Sequence, residues 1–374
     1  MVGFQDLPVE LAVAIMKYVD TPQDISAMIH ADPWLLHCLL DNRKQVMTPH
    51  TIKIIEVCES HVSTAYLLAA RLRHIKQDPA FNDTKPQHRE QIISPILQSC
   101  IRSHNTHHHV SHCASLSTIC ALSTLAIDVV WLTTSYISQA REELFRYRPS
   151  EDWPIVSFTE RQKFINAACR FESYVQAFFH MEQPLFPRDE SIRRLLFAPR
   201  LCDLESRNPF YAMETFYSIV YYIYDQHCTM MNNIKLHLKV RIKAIIDDGD
   251  LDDTQGADER QRQRLRTCGQ IEVNKHVHYL TSEGLGMLLH LQSMDLDEQS
   301  RFVLSNFESV LDSRHPNVLM VHGIELYKIG TVEKHSRNPW LYCENVFEIN
   351  PDQWQWAESF WDADGWASRW FLWW

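Results

Sequence analysis

Two stretches gather side chains that could hold a metal. IIDDGDLDD brings Asp247, Asp248 and Asp250 together, carboxylates of the kind that bind calcium or magnesium. A calcium loop needs glycine at its sixth position. Gly249 or Gly256 in that place would start the loop at Ala244 or Leu251, neither of which brings a side-chain oxygen. A magnesium site of the all-α terpenoid-synthase type pairs a DDxxD helix with a later NDxxSxxxE helix. Here the aspartates give only DDxD, and NDTKPQHRE, from Asn82, has Pro86 at the hydroxyl position and comes before them. The second stretch, HNTHHHVSHC, lines up His104, His107, His108, His109, His112 and Cys113, and on a helix His108 and His112 would share a face. It lacks the second ligand pair of a structural zinc site, so no metal and no cofactor are expected. No GxSxG, HExxH or cysteine with histidine pattern sets up a nucleophile, and a non-catalytic protein is expected.

Composition narrows the classes further. The 374 residues are 45% apolar and 22% charged, ordinary for a globular protein with room for two or three domains. Nine glycines leave little for glycine-rich turns, and the close pair Gly284 and Gly286 is no phosphate loop. A formal charge of −11 argues against nucleic acid, whose binding is driven by neutralising phosphates. Asp6 and Glu10 arrive too early for a secretory leader, and ten cysteines without a CxxC suit reduced thiols, so a cytoplasmic or nuclear location is expected. The stretch from Cys113 to Ile137 is long and apolar enough for a membrane span, but Asp128 near its middle would cost about 2.5 to 3.5 kcal/mol in lipid. Eight serine and threonine side chains dilute it further, and a buried core helix is expected instead.

Helix starts are marked by a capping residue followed by proline, at Thr21, Asp32, Thr48 and Ser94. They predict three short helices before Thr48, over Leu7 to Val19, Pro22 to His30 and Pro33 to about Val46, with Asp24 closing a capping box on Thr21. Further on, Phe164, Ala167, Ala168, Phe171, Tyr174, Val175 and Phe178 form one helical stripe behind a box of Ser157 and Glu160. NPFYAMETFYSIVYYIYDQH gives an aromatic helix, and LTSEGLGMLLHLQSM and LDEQSRFVLSNFESVL a last pair. NVLMVHGIELYKI reads as a short strand pair, and the Trp-rich end QWQWAESFWDADGWASRWFLWW as a cap over a helical core. The fold class expected is all-α for most of the chain. It divides into an N-terminal module at 1–48, a helical body at 49–246, a charged loop or linker at 247–266, and a C-terminal helical and Trp-rich segment at 267–374.

The first helix raises the functional question. Advancing by 100° per residue, Leu7, Leu11, Ala14, Ile15 and Tyr18 fall on one side, and Val9, Ala12, Met16 and Val19 on another. The polar stripe is only Glu10 and Lys17, with Val13 beside it. A helix apolar nearly all round needs cover on two fronts, more than three short helices can give.

LPVELAVAIMKYVDTPQDISAMIHADPWLL resembles the F-box. Leu7, Pro8, Glu10, Leu11, Ile15, Tyr18, Val19, Asp24 and Ile25 match that family's Leu-Pro-x-Glu-Leu start, its isoleucine, its aromatic and aliphatic pair and its acidic and aliphatic step. One extra residue precedes Asp24, and ADPWLLHCL stands where the family has a basic-x-Trp ending. FTERQKFINAACRFESY, YLTSEGLGMLLHL and FWDADGW extend the resemblance to the F-box proteins of filamentous fungi. The resemblance implies a trihelical module that docks through Leu7, Pro8, Leu11, Ile15, Tyr18 and Ile25 on a Skp-family adaptor, and through it on a cullin ubiquitin ligase. The body would then capture an unknown protein as substrate, with neither nucleic acid nor membrane as a partner. The alternatives are a scaffold that binds the adaptor without directing ubiquitination, and an all-α metal-dependent enzyme built on the acidic loop.

Overall fold

In the computed structural model the described residues are 4–58, 62–102, 114–147, 155–180, 183–186, 192, 195–197, 209–248, 264–265, 267–312, 357 and 360–361. They form thirteen α-helices, with two 3-10 turns and one pair of two-residue strands, so the protein is all-α as expected. The first three helices are α1 (Val9–Tyr18), α2 (Pro22–Ala31) and α3 (Pro33–Asp41). Pro8 caps α1 rather than opening it, and its carbonyl accepts from the N–H groups of Leu11 and Ala12 at 3.0 and 3.2 Å. Thr21 and Asp24 close the capping box, each backbone N–H donating to the other's side chain, at 3.0 and 3.2 Å. Asp32 accepts from the Trp34 N–H at 2.9 Å and starts α3.

Two cap-and-proline signals mislead. The third helix stops at Asp41 instead of Val46, where Asn42 turns out of helical geometry at φ −116° and ψ 21° while its backbone N–H and its side-chain amide both donate to the Cys38 carbonyl at 3.1 Å. Helix α4 (Arg43–Val57) starts at once and carries Pro49 in its interior. Its buried face, Val46, Met47, His50, Thr51 and Ile54, runs straight past that proline. Packing of this face overrides the lost bond to the Gln45 carbonyl, a cost of about 3 kcal/mol. Helix α7 (Pro86–Arg102) does the same around Pro95, which is exposed while Ile93, Ile96 and Leu97 are buried. The same signal works where it was not noticed: Asp78 caps the short α6 (Pro79–Asn82).

The body is built around α9 (Phe158–Phe178), which touches α5 (Thr64–Lys76), α8 (Leu116–Tyr147) and α10 (Pro209–Asp248). Its Ser157 and Glu160 box is present. The predicted stripe is buried, and so are Ile165, Cys169, Arg170, Glu172, Ser173 and Ala177 on the other sides. Helix α8 contains the one stretch among the described residues long and apolar enough to cross a membrane, Leu116–Glu143. Half of its most apolar eighteen residues are buried against the rest of the protein.

Helices α11 (Gln270–Ser282), α12 (Leu285–Ser293) and α13 (Leu296–Asp312) complete the described chain, apart from a few residues of the Trp-rich end. Among the described residues there are two hydrophobic cores. The first includes residues from Ala12 to Ile223, together with Leu285, Leu288, Ala357 and Phe360. The second joins Met230, Met231, Ile234 and Leu238 of α10 to α11, α13 and Leu291. The boundary expected at 48/49 falls inside α4 and that at 246/247 inside α10, because single helices carry the chain across both points. Phe360 stacks on Phe164 at 3.9 Å and Trp361 meets the same ring at 5.7 Å, so this part of the Trp-rich end does cap the core. The rest of that end, NVLMVHGIELYKI and most of 247–266 lie outside the described residues.

Candidate functional site

Helix α1 has an inner and an outer face. Ala12, Val13 and Met16 are buried, and α1 packs on α3 and α4. Val13 belongs to this inner face rather than to the polar stripe beside it. His50 of α4 lies beneath, its Nε2 3.4 Å from the Met16 carbonyl, and burial lowers its pKa. Outward, Leu11 is 52% exposed, Ile15 41% and Tyr18 78%. Pro8 is exposed and Leu7 half-buried.

Ile25 behaves differently from the other residues expected to meet a partner. It is 0% exposed and belongs to the first core, so it is no surface residue. The reason is the docking of α2 on α3 and α8, which is fixed by the Gln23 amide donating to the Cys120 carbonyl at 2.9 Å and to Thr124 Oγ1 at 2.6 Å. Arg43, at the start of α4, donates to the Ala114 carbonyl and ties the N-terminal helices to the body a second time.

The outer face is wider than the set of residues expected to meet a partner. Phe4, Val9, Leu36 and Leu40 are exposed as well, on a 3-10 turn (Phe4–Asp6), α1 and α3, and these three elements pack side by side. Of sixteen large apolar residues exposed among the described residues, eight lie within the first 52 positions, which is a concentration rather than a scatter. Leu36 and Leu40 stand four apart in PWLLHCLLD, on the side opposite Cys38, and that spacing was the overlooked signal. Beside the face, a groove of about 660 Å³ opens between Lys17, Lys44, Thr48, Pro49 and Ile52.

The body holds a buried polar cluster that the sequence did not announce. Arg73 of α5 donates from Nη1 to Asp128 of α8 and from Nε to Glu172 of α9, both at 2.5 Å. Burial works against the Arg73 charge, but Glu172 and Asp128 outweigh it and hold its pKa above the usual value. Burial raises the Asp128 carboxyl even though Arg73 opposes it. Glu172 also accepts from Gln176 at 2.8 Å and from the Leu285 N–H at 2.8 Å, so it caps α12 from another helix. Protein donors engage both carboxylates. The arrangement fixes α5, α8 and α9 to one another, with Arg73 Nη2 left without a hydrogen-bond partner among the described residues.

Among the described residues no three histidine, cysteine, aspartate or glutamate side chains converge on a point that could take a metal. Asp247 and Asp248 form the last turn of α10, whereas Asp250 and the run from His104 to Cys113 lie outside the described residues. The chain matches no protein-family model, no curated protein and no solved structure.

Proposed function

We propose that this chain is an F-box-type adaptor subunit of a Skp-cullin-F-box ubiquitin ligase, without chemistry of its own. Phe4, Leu11, Ile15, Tyr18, Leu36 and Leu40 would bind the Skp-family adaptor, and the helical body would hold a protein substrate. The mechanism is proximity, since tethering raises the effective concentration of substrate at the ligase. What carries the reading is the outer face of α1, which stays apolar and open while its inner face is held by α3 and α4. Each such leucine or isoleucine is worth about 1.5 to 3 kcal/mol when fully covered, enough for a few of them to drive association. Two hydrogen-bonded ties, at Gln23 and Arg43, fix the face relative to the body, which suits a part that must hold two proteins at a set spacing.

Leu11→Asp tests the proposal. At an interface it sets an unpaired charge against an apolar partner, so co-purification with a Skp-family adaptor should be lost. Melting should move by no more than a surface substitution does, about 0.5 kcal/mol. Wild-type protein that binds no Skp-family adaptor would refute the proposal.

A further inference from the structure

The second core holds two histidines that find nothing to bond to among the described residues. His227 of α10 and His276 of α11 are both 0% exposed, and no described residue gives either nitrogen of either ring a hydrogen-bond partner. His227 lies on α10 between Ile223, which belongs to the first core, and Met230, which belongs to the second. On α11 the Tyr279 ring stands 5.6 Å from His276, and Phe307 of α13 stands 5.1 Å from it. Helix α12 adds Leu291 and Met287 to this core. Among the described residues the titratable group that acts on His227 is His276, and no charged group acts on His276. Nearby on the same helices, Tyr224 bonds to Cys228 and packs against His278 at 4.9 Å, and Asp225 is raised by burial alone. Among the described residues no carboxylate is placed to pair with either of these two rings, whereas His237 of α10, partly exposed, meets Asp297 of α13 at 2.9 Å.

We infer that His227 and His276 form an acid-sensitive latch that holds α11 to α13 on α10, so that a fall in pH opens the second core while the first stays closed. A proton on either ring puts an unpaired charge into an apolar seam, and protons on both add repulsion. Burial lowers His227 to about 3 and His276 to about 4 in the folded chain. In the opened chain each returns to about 6.5. Because the folded values are depressed, the latch is fully closed above pH of about 6.5 and weakens steadily below it. Among the described residues the first core also has two depressed histidines. His50 is lowered by burial, but the Met16 carbonyl 3.4 Å from its Nε2 opposes the shift and can accept from the protonated ring, and His180 is lowered to about 4 by burial and then by Lys76 and Arg89. His180 sits in the two-residue strand Phe179–His180, however, and fraying of that strand can admit a proton without opening the core.

Hydrogen exchange read by mass spectrometry on the full chain, corrected for the intrinsic effect of pH, tests the latch. His278 of α11 is lowered to about 4 by burial as well, so three sites that titrate near 6.5 only when open should multiply the open population by about 1000 between pH 7.5 and 5.5. Peptides of α11 should lose protection by that factor and peptides of α9 should keep theirs. His276→Phe, a ring that takes no proton, should cut the loss to about 100-fold. Equal protection of α11 at the two pH values, equal loss in α9, or a folded His276→Phe protein as acid-sensitive as wild type would overturn the inference. Wild-type exchange decides the matter even where the variant does not fold.

Discussion

Helices α1 and α9 begin from similar sequence patterns and end in opposite places. Both are apolar on more than one side. Helix α9 has α5, α8 and α10 around it, and even its Glu160, Arg170 and Glu172 are buried. Helix α1 has α3 and α4 on one side, and among the described residues nothing covers the other. The polar residues tell the same story. On α9, Ser173 donates to the Ala65 carbonyl at 3.0 Å and Arg170 to the Ala212 carbonyl at 3.1 Å, while Glu172 takes Arg73 and the Leu285 N–H. On α1, Lys17 merely lies over the Tyr18 ring at 5.5 Å. Apolar period says which faces need cover, whereas buried polar groups with partners say which faces have found it within the chain.

The comparison breaks most visibly at Glu172. Replacing it by alanine leaves Arg73 with one carboxylate instead of two and strands the Leu285 N–H. Removing one partner of a buried ion pair costs roughly 3 to 5 kcal/mol. The unfolding free energy of Glu172→Ala from denaturant titration should fall by an amount in that range. An unfolding free energy within about 1 kcal/mol of wild type, the centre for ordinary point mutants, would mean that the cluster does not hold α9 in place.

Gly284 sharpens the same point. It sits at φ 90°, and an added Cβ would lie 2.8 Å from Glu172 Oε2 and 3.1 Å from Val175 Cγ2. Strained backbone and the close approach together should make Gly284→Ala cost about 1 to 3 kcal/mol. Thermal melting should show the loss, and a melt matching wild type would argue against the close approach of α12 to α9.

Most of the helical plan was legible because caps and period are local. Ser157 with Glu160, Thr21 with Asp24 and the α9 stripe follow from a few neighbouring residues. Pro49 and Pro95 misled because their local signal was overruled by a buried face that only the assembled fold creates. Ile25 misled for the same reason, since α8, nearly a hundred positions on, is what covers it. Arg73, Asp128 and Glu172 are separated by 55 and 99 positions from partner to partner, and no spacing rule links them. Asp128 did carry a clue. A carboxylate in the middle of an apolar helix calls for a cation, and the fold supplies Arg73.

The smallest effect belongs to Tyr18, and it separates the two helices most cleanly. Its side chain is 78% exposed in the last turn of α1, and the interaction recorded for it within the chain is the Lys17 ammonium over its ring. Such a contact at an exposed site is worth about 0.5 to 1 kcal/mol, so Tyr18→Ser should move the melt by no more than that. Its effect on adaptor binding should be larger, because an aromatic ring that becomes buried in a partner typically costs more than about 1 kcal/mol, or fivefold in affinity, when removed. The same residue thus counts for little in folding and for much in association. A melting loss as great as that of Gly284→Ala would place Tyr18 in the core, and α1 would then resemble α9 after all. An unchanged melt with unchanged adaptor affinity would confine the interface to Leu11, Ile15, Leu36 and Leu40, higher on the same face.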